Sequence, residues 1–389
     1  MMFQNEDSQK NSKRIRILML TPDSKICGTE QRILNLINNV NRNKFELALV
    51  TLFGPGDLIQ KAYEAGIQVL NLQLKENSKI QGFMQWRRFV RDFDPHIIQS
   101  LLFYSNLLGR FTCLFKRDIA MLSGISTVFS YQEYGHFYAW MEQLTHGLDT
   151  LYVANSTEGK ESALKLLNIS ARKMELIHNG IAIEDESEKE YHRIREEARR
   201  EFGFEKNHLV IGMVAQLRPA KRHDLLLEAA GRLKNDFPTL RLLIVGQGKQ
   251  ETVLREMARE QGVEQETIFA GFRADVRRLL HGLDIFALPS DVEGEPVSIM
   301  EAMEASLPVA ATRTGGIPEI VEENKTGLLC EPGDVEGLIS QLAKFLDSSV
   351  LRQNYGFAGR QRIIEQFSAA RMAAQFEKLY EKCLQMRLK

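Results

Sequence analysis

The chain has 389 residues, 44% of them apolar and 26% charged, with a formal net charge of −1. That length exceeds one ordinary hydrophobic core and predicts two domains. The near-neutral balance gives no electrostatic reason to invoke nucleic acid as a partner. Four cysteines, Cys27, Cys113, Cys330 and Cys383, are spread without a C-x-x-C pair. They speak for reduced thiols in a cytosolic protein rather than a zinc centre or a disulfide framework. Residues 1–14 are polar and read as disordered. Ile15 to Leu20 (IRILML) predicts a buried strand, too short for a signal-peptide core or a membrane span. No later stretch is long enough either, so a soluble protein is expected.

The loop TPDSKICGTEQ leads from this strand into the helical RILNLINNV, and such a strand-loop-helix unit favours an anion. A strand at 45–53 (FELALVTLF), a GPGD turn, a helix ending at Gly66 and a strand VLNLQL follow. The next helix, KIQGFMQWRRFVRDF, is amphipathic and basic, with Arg87, Arg88 and Arg91 beside Phe83, Trp86 and Phe89. Its plainer reading is a sheet-covering helix with a solvated basic face. Its sharper reading is a surface that docks on anionic lipid. Asp92 and Asp94 form a D-x-D string at the helix end, before Pro95, and mark a helix terminus. PHIIQSL predicts a strand, FYSNLLGRFTCLFKR a helix and GISTVFS (124–130) a further strand, before an aromatic-rich segment that holds His136. DTLYVANS gives a strand, and TEGKESALKLL a helix capped by Asn155 or Ser156. KMELIHNGI runs as a strand into a sharp turn at Asn179 and Gly180.

Residues 184–206 are charge-dense and helical, as expected of a region between domains. HLVIGMVAQL then begins a fresh strand-loop-helix series, which sets the domain boundary near residue 182. In the following loop, AQLRPAKRHD, cationic side chains would hold a pyrophosphate, Arg by bidentate contact and Lys as a point charge. Gly246 and Gly248 follow the strand LRLLIV, but Glu251 stands where a third glycine would complete a dinucleotide fingerprint. TIFAGF is a short strand and DVRRLLHGL a helix.

The most informative stretch is Leu288 to Val321, LPSDVEGEPVSIMEAMEASLPVAATRTGGIPEIV. A buried strand ends at Pro289, a loop SDVEGE follows, and Pro296 opens the helix VSIMEAMEA. A helix start directly after a strand points backbone N–H groups and the positive end of the dipole into a crevice, where a phosphate is favoured. Glu293 lies in the loop and Glu301 inside the helix. One carboxylate therefore addresses a group ahead of the N-terminus while the other flanks it, the layout of a nucleotide-sugar. PVAAT is another strand, Gly315 and Gly316 permit close backbone approach, and Pro318 with Glu319 marks a second helix start. From Asp334 onward the chain reads as helical.

This string resembles the donor-site signature of retaining glycosyltransferases of the GT-B fold, in glycosyltransferase family 4 (glycosyl transferases group 1). The segment D-x-P-H-I-I-Q-S-L followed by N-L-L-G-R is similar to the N-terminal domain of the same family, and the likeness covers nearly the whole chain from about Ile15. It implies two Rossmann-like, doubly wound α/β domains facing each other across a cleft. Residues 15–182 would bind acceptor, 183–370 would bind donor, and 371–389 would form a helix crossing back to the first domain. The implied activity is metal-independent transfer of a hexosyl or related group, with retention, to a glycan or lipid-linked acceptor in cell-surface polysaccharide or glycolipid synthesis. No cofactor is implied. The nucleotide-sugar, with UDP or GDP as its nucleotide, is a co-substrate, and the place of action is the cytoplasm or the inner face of the membrane.

Carried over residue by residue, the resemblance sets Glu293 against the sugar hydroxyls, Glu301 against the ribose and Lys221 against the donor phosphates. Gln216 occupies the place of the family's usual arginine, and Arg218, two residues on, is the candidate to serve instead. Gly28 and Thr29 would contact donor phosphate or acceptor. Gly246 and Gly248 would line the nucleotide end, with Phe272 and Arg273 near the base. The backbone from Gly294 through Glu295 and Pro296 to Val297 would face the leaving pyrophosphate. The family's Gly-Gly pair is reduced here to Cys27 and Gly28. Its histidine after the 124–130 strand is replaced by Phe129 and Ser130, with His136 the candidate substitute. A carboxylate nucleophile must lie beneath the anomeric carbon; none is evident, so front-face attack assisted by the donor phosphate is expected. Two rivals stand beside this reading. A nucleotide-dependent oxidoreductase is disfavoured by the missing third glycine. A non-catalytic relative acting as a partner subunit is favoured by the departures at Cys27, Phe129 and Gln216, and disfavoured by Glu293, Glu301 and Lys221.

Overall fold

The apolar run at the start of the chain is continuous because both of its faces are covered. In the computed structural model, which describes residues 14–26, 28–75, 78–125 and 136–387, this run is strand β1 (Ile15–Thr21). Ile17 and Met19 enter one core, with Phe45 and Leu49, while Leu18 and Leu20 enter the opposite one, with Trp86 and Phe93. Alternate side chains of a strand point to opposite faces, so a strand covered on both sides must be apolar throughout.

Around β1 lie β2 (Phe45–Thr51), β3 (Gln68–Asn71), β4 (Ile97–Leu101), β5 (Ala120–Ile125), β6 (Leu151–Ala154) and β7 (Met174–Leu176). All pairings are parallel, in the order β3-β2-β1-β4-β5-β6-β7. The second sheet contains β8 (Leu209–Val214), β9 (Leu240–Val245), β10 (Thr267–Gly271), β11 (Ile285–Leu288), β12 (Val309–Thr312) and β13 (Gly327–Cys330). It is likewise parallel, in the order β10-β9-β8-β11-β12-β13. Each sheet is thus doubly wound, with a topological switch beside its first strand, where the carboxyl ends of two neighbouring strands splay apart. The chain divides into two units between Ile177 and His178 and again between Arg371 and Met372, with Asn155–Gly159 joined to the second unit.

Helices cover both faces of each sheet, and the last one closes the first core. In the helix Ala369–Arg387, Phe376, Tyr380 and Cys383 are fully buried among first-unit strands. The Tyr380 hydroxyl donates to Gln99 Oε1 on β4, which satisfies two polar groups inside that core. No helix among the described residues is long and apolar enough to cross a membrane.

Four expectations change. The strand expected at 124–130 is β5, Ala120–Ile125, and residues 126–130, with Phe129 and Ser130, lie outside the described residues. Its earlier start is masked in the sequence by Ser123, whose hydroxyl donates to Asp149 inside the core. The strand expected at VLNLQL, residues 69–74, is shorter and starts one residue earlier, at Gln68–Asn71. Strand β13 was not anticipated, because four apolar residues after a turn carry too little pattern to separate strand from loop. The charge-dense segment after residue 184 is a built part of the second unit rather than a link. Its helix Glu188–Glu201 places Arg195 and Arg199 on Asp284, at 2.6 and 3.1 Å. The other helices needed by the site are described with it below.

The C-terminal helix is therefore expected to be a stability element of the first unit. Phe376→Ala removes a fully buried ring and should cost about 3–5 kcal/mol. Scanning calorimetry should show one thermal transition displaced downward; an unmoved thermogram would remove this helix from the core account.

Candidate functional site

The candidate residues of the second unit collect at the carboxyl ends of its strands. The loop after β8 carries Gln216, Arg218 and Lys221, and that after β9 carries Gly246 and Gly248. Phe272 and Arg273 follow β10, Glu293 to Val297 follow β11, and Gly315 and Gly316 follow β12. In sheet order these loops form one row across five strands, roughly 19 Å at the usual inter-strand spacing. The centre of the row, between β8 and β11, is the topological switch.

There the structure brings Lys221 and Glu293 together. Residues Pro219–Lys221 make a single 3₁₀ turn ahead of the helix His223–Leu233, and this turn aims Lys221 Nζ at Glu293 Oε1, 2.6 Å away. Glu293 is 8% exposed, and the Ser290 hydroxyl donates to the same oxygen at 2.7 Å. Asp291 N donates to Ala220 O at 2.9 Å, which joins the two loops through the backbone. Arg222 adds a second bridge, with Nη1 3.0 Å from Asp291 Oδ1. Arg218 and Gln216 are exposed on the same loop, and the buried Leu217 between them anchors it.

The glycines are explained by close approach. A Cβ at Gly246 would come within 1.9 Å of Ala215 O, and one at Gly315 within 1.9 Å of Glu293 O. Gly315 also has φ +55°, a left-handed conformation that favours glycine. The Gly-Gly turn after β12 therefore packs on the Glu293 loop. Gly316 N donates to Gly294 O, and Thr314 Oγ1 donates to Asp291 O at 3.1 Å.

Past the loop, Pro296 is the cap of the helix Val297–Glu304, with the first free N–H groups following it. Glu301 lies within this helix and is half-buried. Burial pushes its carboxyl up to about 7, repulsion from Glu304 adds to this, and attraction to Arg277 opposes it. Glu304, one turn on, is buried and held by Arg277 at 2.7 Å and Arg360 at 2.9 Å.

The side chain of the loop's third carboxylate turns inward. Glu295, placed by resemblance among the donor contacts, has its side chain buried and accepts from His178 Nδ1 at 2.6 Å and from Asn179 N. Asn179 Nδ2 also donates to Glu295 O. The His178–Asn179 turn is thereby fixed to the loop, and Glu319 lies 3.7 Å from His178 Nε2. Burial works against protonation of His178, but the hydrogen bond and charge of Glu295, with Glu319, outweigh it and raise its pKa.

The remaining candidates lie at the edge of this row or in the first unit. Phe272 is 59% exposed at the sheet edge, while Arg273 is held by Asp275 at 2.8 Å and by Glu201. Gly28 and Thr29 open the helix Gly28–Asn39 at the carboxyl end of β1, in the first unit. His136 opens the helix His136–Thr145, and its side chain, like all of Cys27, lies outside the described residues. Asp94, read as a helix terminus, does end the helix Lys79–Phe93, in a left-handed conformation. Ser290, Arg222 and Asp291 carry little local signal in the sequence beyond the basic string around Lys221 and the Ser-Asp pair beginning the 290–295 loop.

The His178–Glu295 contact has a pH signature. Because the folded pKa of His178 is raised, its charged form contributes stability fully present below about pH 6.5 and lost as pH rises through the folded value. Thermal stability of the second unit should fall across that window in the wild type and flatten in Glu295→Gln. The same slope in both proteins would separate the histidine from the effect.

Two family models match the chain: Glycosyltransferase Family 4 over residues 26–185 and Glycosyl transferases group 1 over residues 194–362. N-acetyl-alpha-D-glucosaminyl L-malate synthase of Bacillus anthracis is 29% identical over 182 residues, 47% of this chain and 48% of that protein. A GDP-mannose-dependent monoacylated phosphatidylinositol monomannoside mannosyltransferase of Corynebacterium glutamicum is 35% identical over 180 residues, 44% of this chain and 46% of the other. The chain thus spans about half the length of the curated relatives it matches. Among solved structures, Anabaena HepE, crystallised with UDP and glucose, superposes with a TM-score of 0.82 at 21% identity over 95% of this chain and all of that one. With a glycosyltransferase model on each side of the central boundary, and a fold shared with HepE over 95% of its length, the chain belongs to the GT-B glycosyltransferases of family 4.

Proposed function

We propose that this chain transfers a sugar from a UDP- or GDP-sugar to a glycan or lipid-linked acceptor, with retention at the anomeric carbon and without a metal. The observation that carries the proposal is the Lys221–Glu293 pair at the β8–β11 switch, directly ahead of the Val297–Glu304 helix start. HepE was solved with UDP, and the Corynebacterium relative is named for GDP-mannose and a lipid acceptor, so both nucleotides and a lipid-linked acceptor are in keeping with the relatives.

The chemistry requires a bond between the anomeric carbon and the diphosphate oxygen to break while an acceptor oxygen bonds the same carbon. Negative charge collects on the leaving diphosphate and positive character on the sugar ring. Lys221 answers the first charge, as do the N–H groups at the Val297–Glu304 helix start. Glu293 accepts hydrogen bonds from the sugar hydroxyls and faces the developing positive ring. Binding is then an exchange of partners: the diphosphate takes Lys221, the sugar takes Glu293, and neither charge is left unpaired in the crevice. Glu301 receives the ribose hydroxyls. Glu295 works at one remove, holding the loop through His178 and Asn179. No carboxylate is assigned as a nucleophile, so the acceptor attacks the departing face and passes its proton to the leaving diphosphate.

Two measurements check this reading. Lys221→Ala should lower kcat by about 10²–10³-fold, with the product's anomeric configuration, read by NMR, the same as the donor's. Inversion would contradict the mechanism, and an unimpaired variant would remove Lys221 from it. Donor affinity should also rise between pH 6 and 8, by up to about tenfold per unit below the Glu301 pKa of about 7, as that carboxylate ionises. A nucleotide-sugar has no phosphate group titrating in this range, so a slope surviving in Glu301→Gln would assign it elsewhere.

A further inference from the structure

The first unit carries a surface that the donor chemistry does not use. The helices Lys79–Phe93 and Phe103–Phe115 border a groove of about 690 Å³. Trp86 forms its floor, is 2% exposed, and donates from Nε1 to Thr112 Oγ1 at 2.9 Å, tying the two helices together. The walls are apolar and open to solvent: Phe83 is 55% exposed, Met84 58%, Phe111 44% and Phe115 84%. A sheet-covering helix should bury its large apolar residues and leave charges outside. Here large apolar residues from both helices stand outside together with the charges.

Those charges are mostly of one sign. Arg87, Arg88, Arg91 and Lys116 also line the groove. Among the described residues, Asp92 is the carboxylate paired with Arg88 and Arg91, at 3.5 and 2.9 Å. Arg87 lies over the Phe83 ring, 5.9 Å from its centroid. Asp94 is already bonded to Arg16 at 2.6 Å, with Lys116 at 3.9 Å. A chain with net charge −1 thus concentrates cations around an exposed cluster of aromatic and thioether side chains. The complement of such a face is hydrocarbon topped by anionic groups, with long basic side chains reaching from one layer into the other.

We propose that this face docks on the surface of an anionic phospholipid bilayer. Phe83, Met84, Phe111 and Phe115 enter the acyl boundary, and the cations meet headgroup phosphates. The inference rests on the first unit alone and stands or falls apart from the glycosyl-transfer reading.

The test is co-sedimentation of the full chain with vesicles of phosphatidylcholine containing phosphatidylglycerol, and with phosphatidylcholine alone. Binding is expected only to the anionic vesicles and should weaken with added salt. Each of Arg87→Ala, Arg88→Ala and Arg91→Ala should reduce it by about fivefold, and Phe115→Asp should reduce it without moving the thermal transition. Equal binding to both vesicles, or anionic binding indifferent to both sets of substitutions, would overturn the proposal. So would a dimer in solution that Phe115→Asp dissociates, which would give the face to a second copy of the chain.

Discussion

One buried carboxylate sets the terms for the second unit. Glu293 is almost without solvent, and Lys221 and Ser290 both meet the same oxygen of its carboxyl. A buried charge without a partner is costly, and removing one partner of such a pair costs more than the pair itself contributes. The pair spans the loops after β8 and β11, the two strands that border the topological switch. The same contact therefore fixes the loops to each other and sets a cation beside an anion at the carboxyl ends of those strands. Under the proposed function, a ligand with phosphate at one end and hydroxyls at the other replaces both partners at once.

Around that pair, similar residues are used for different ends by burial alone. Three glutamates lie within nine residues of one another. Glu293 is paired with Lys221, Glu295 is buried against His178 and Asn179, and Glu301 is half-buried with its carboxyl raised to about 7. The glycines divide in the same way: Gly246 and Gly315 are needed because neighbouring carbonyl oxygens occupy the space of a side chain. Close packing of these loops fixes where their polar groups stand.

Much of this was legible in the sequence, and for identifiable reasons. Short apolar runs between turn residues gave most of the strands, since a parallel sheet covered on both faces leaves no alternation to misread. The elements of the Leu288–Val321 string were readable because strand, loop, proline-opened helix and glycine turn are all local signals. What escaped was decided at long range. The partner of Lys221 lies 72 residues away and that of His178 117 residues away. Neither Ser290 nor Asp291 looks different from a surface residue until Glu293 and Arg222 are placed beside it. Glu295 reads as part of the donor loop, and only the folded turn at Asn179 turns it inward. On the basic helix, periodicity grouped Phe83 with Trp86, yet one is open to solvent and the other forms a floor, because the second wall comes from the helix Phe103–Phe115.

The most direct test of the account is whether this crevice holds a nucleotide, measured by titration calorimetry of the full chain with UDP, GDP and ADP and with their sugars. The account predicts one-site binding of UDP or GDP in preference to ADP, strengthened by the sugar and weakened when Glu293 is replaced by alanine. Absence of binding by any of them would contradict it and return the chain to the alternative of a partner subunit that keeps the fold without the reaction.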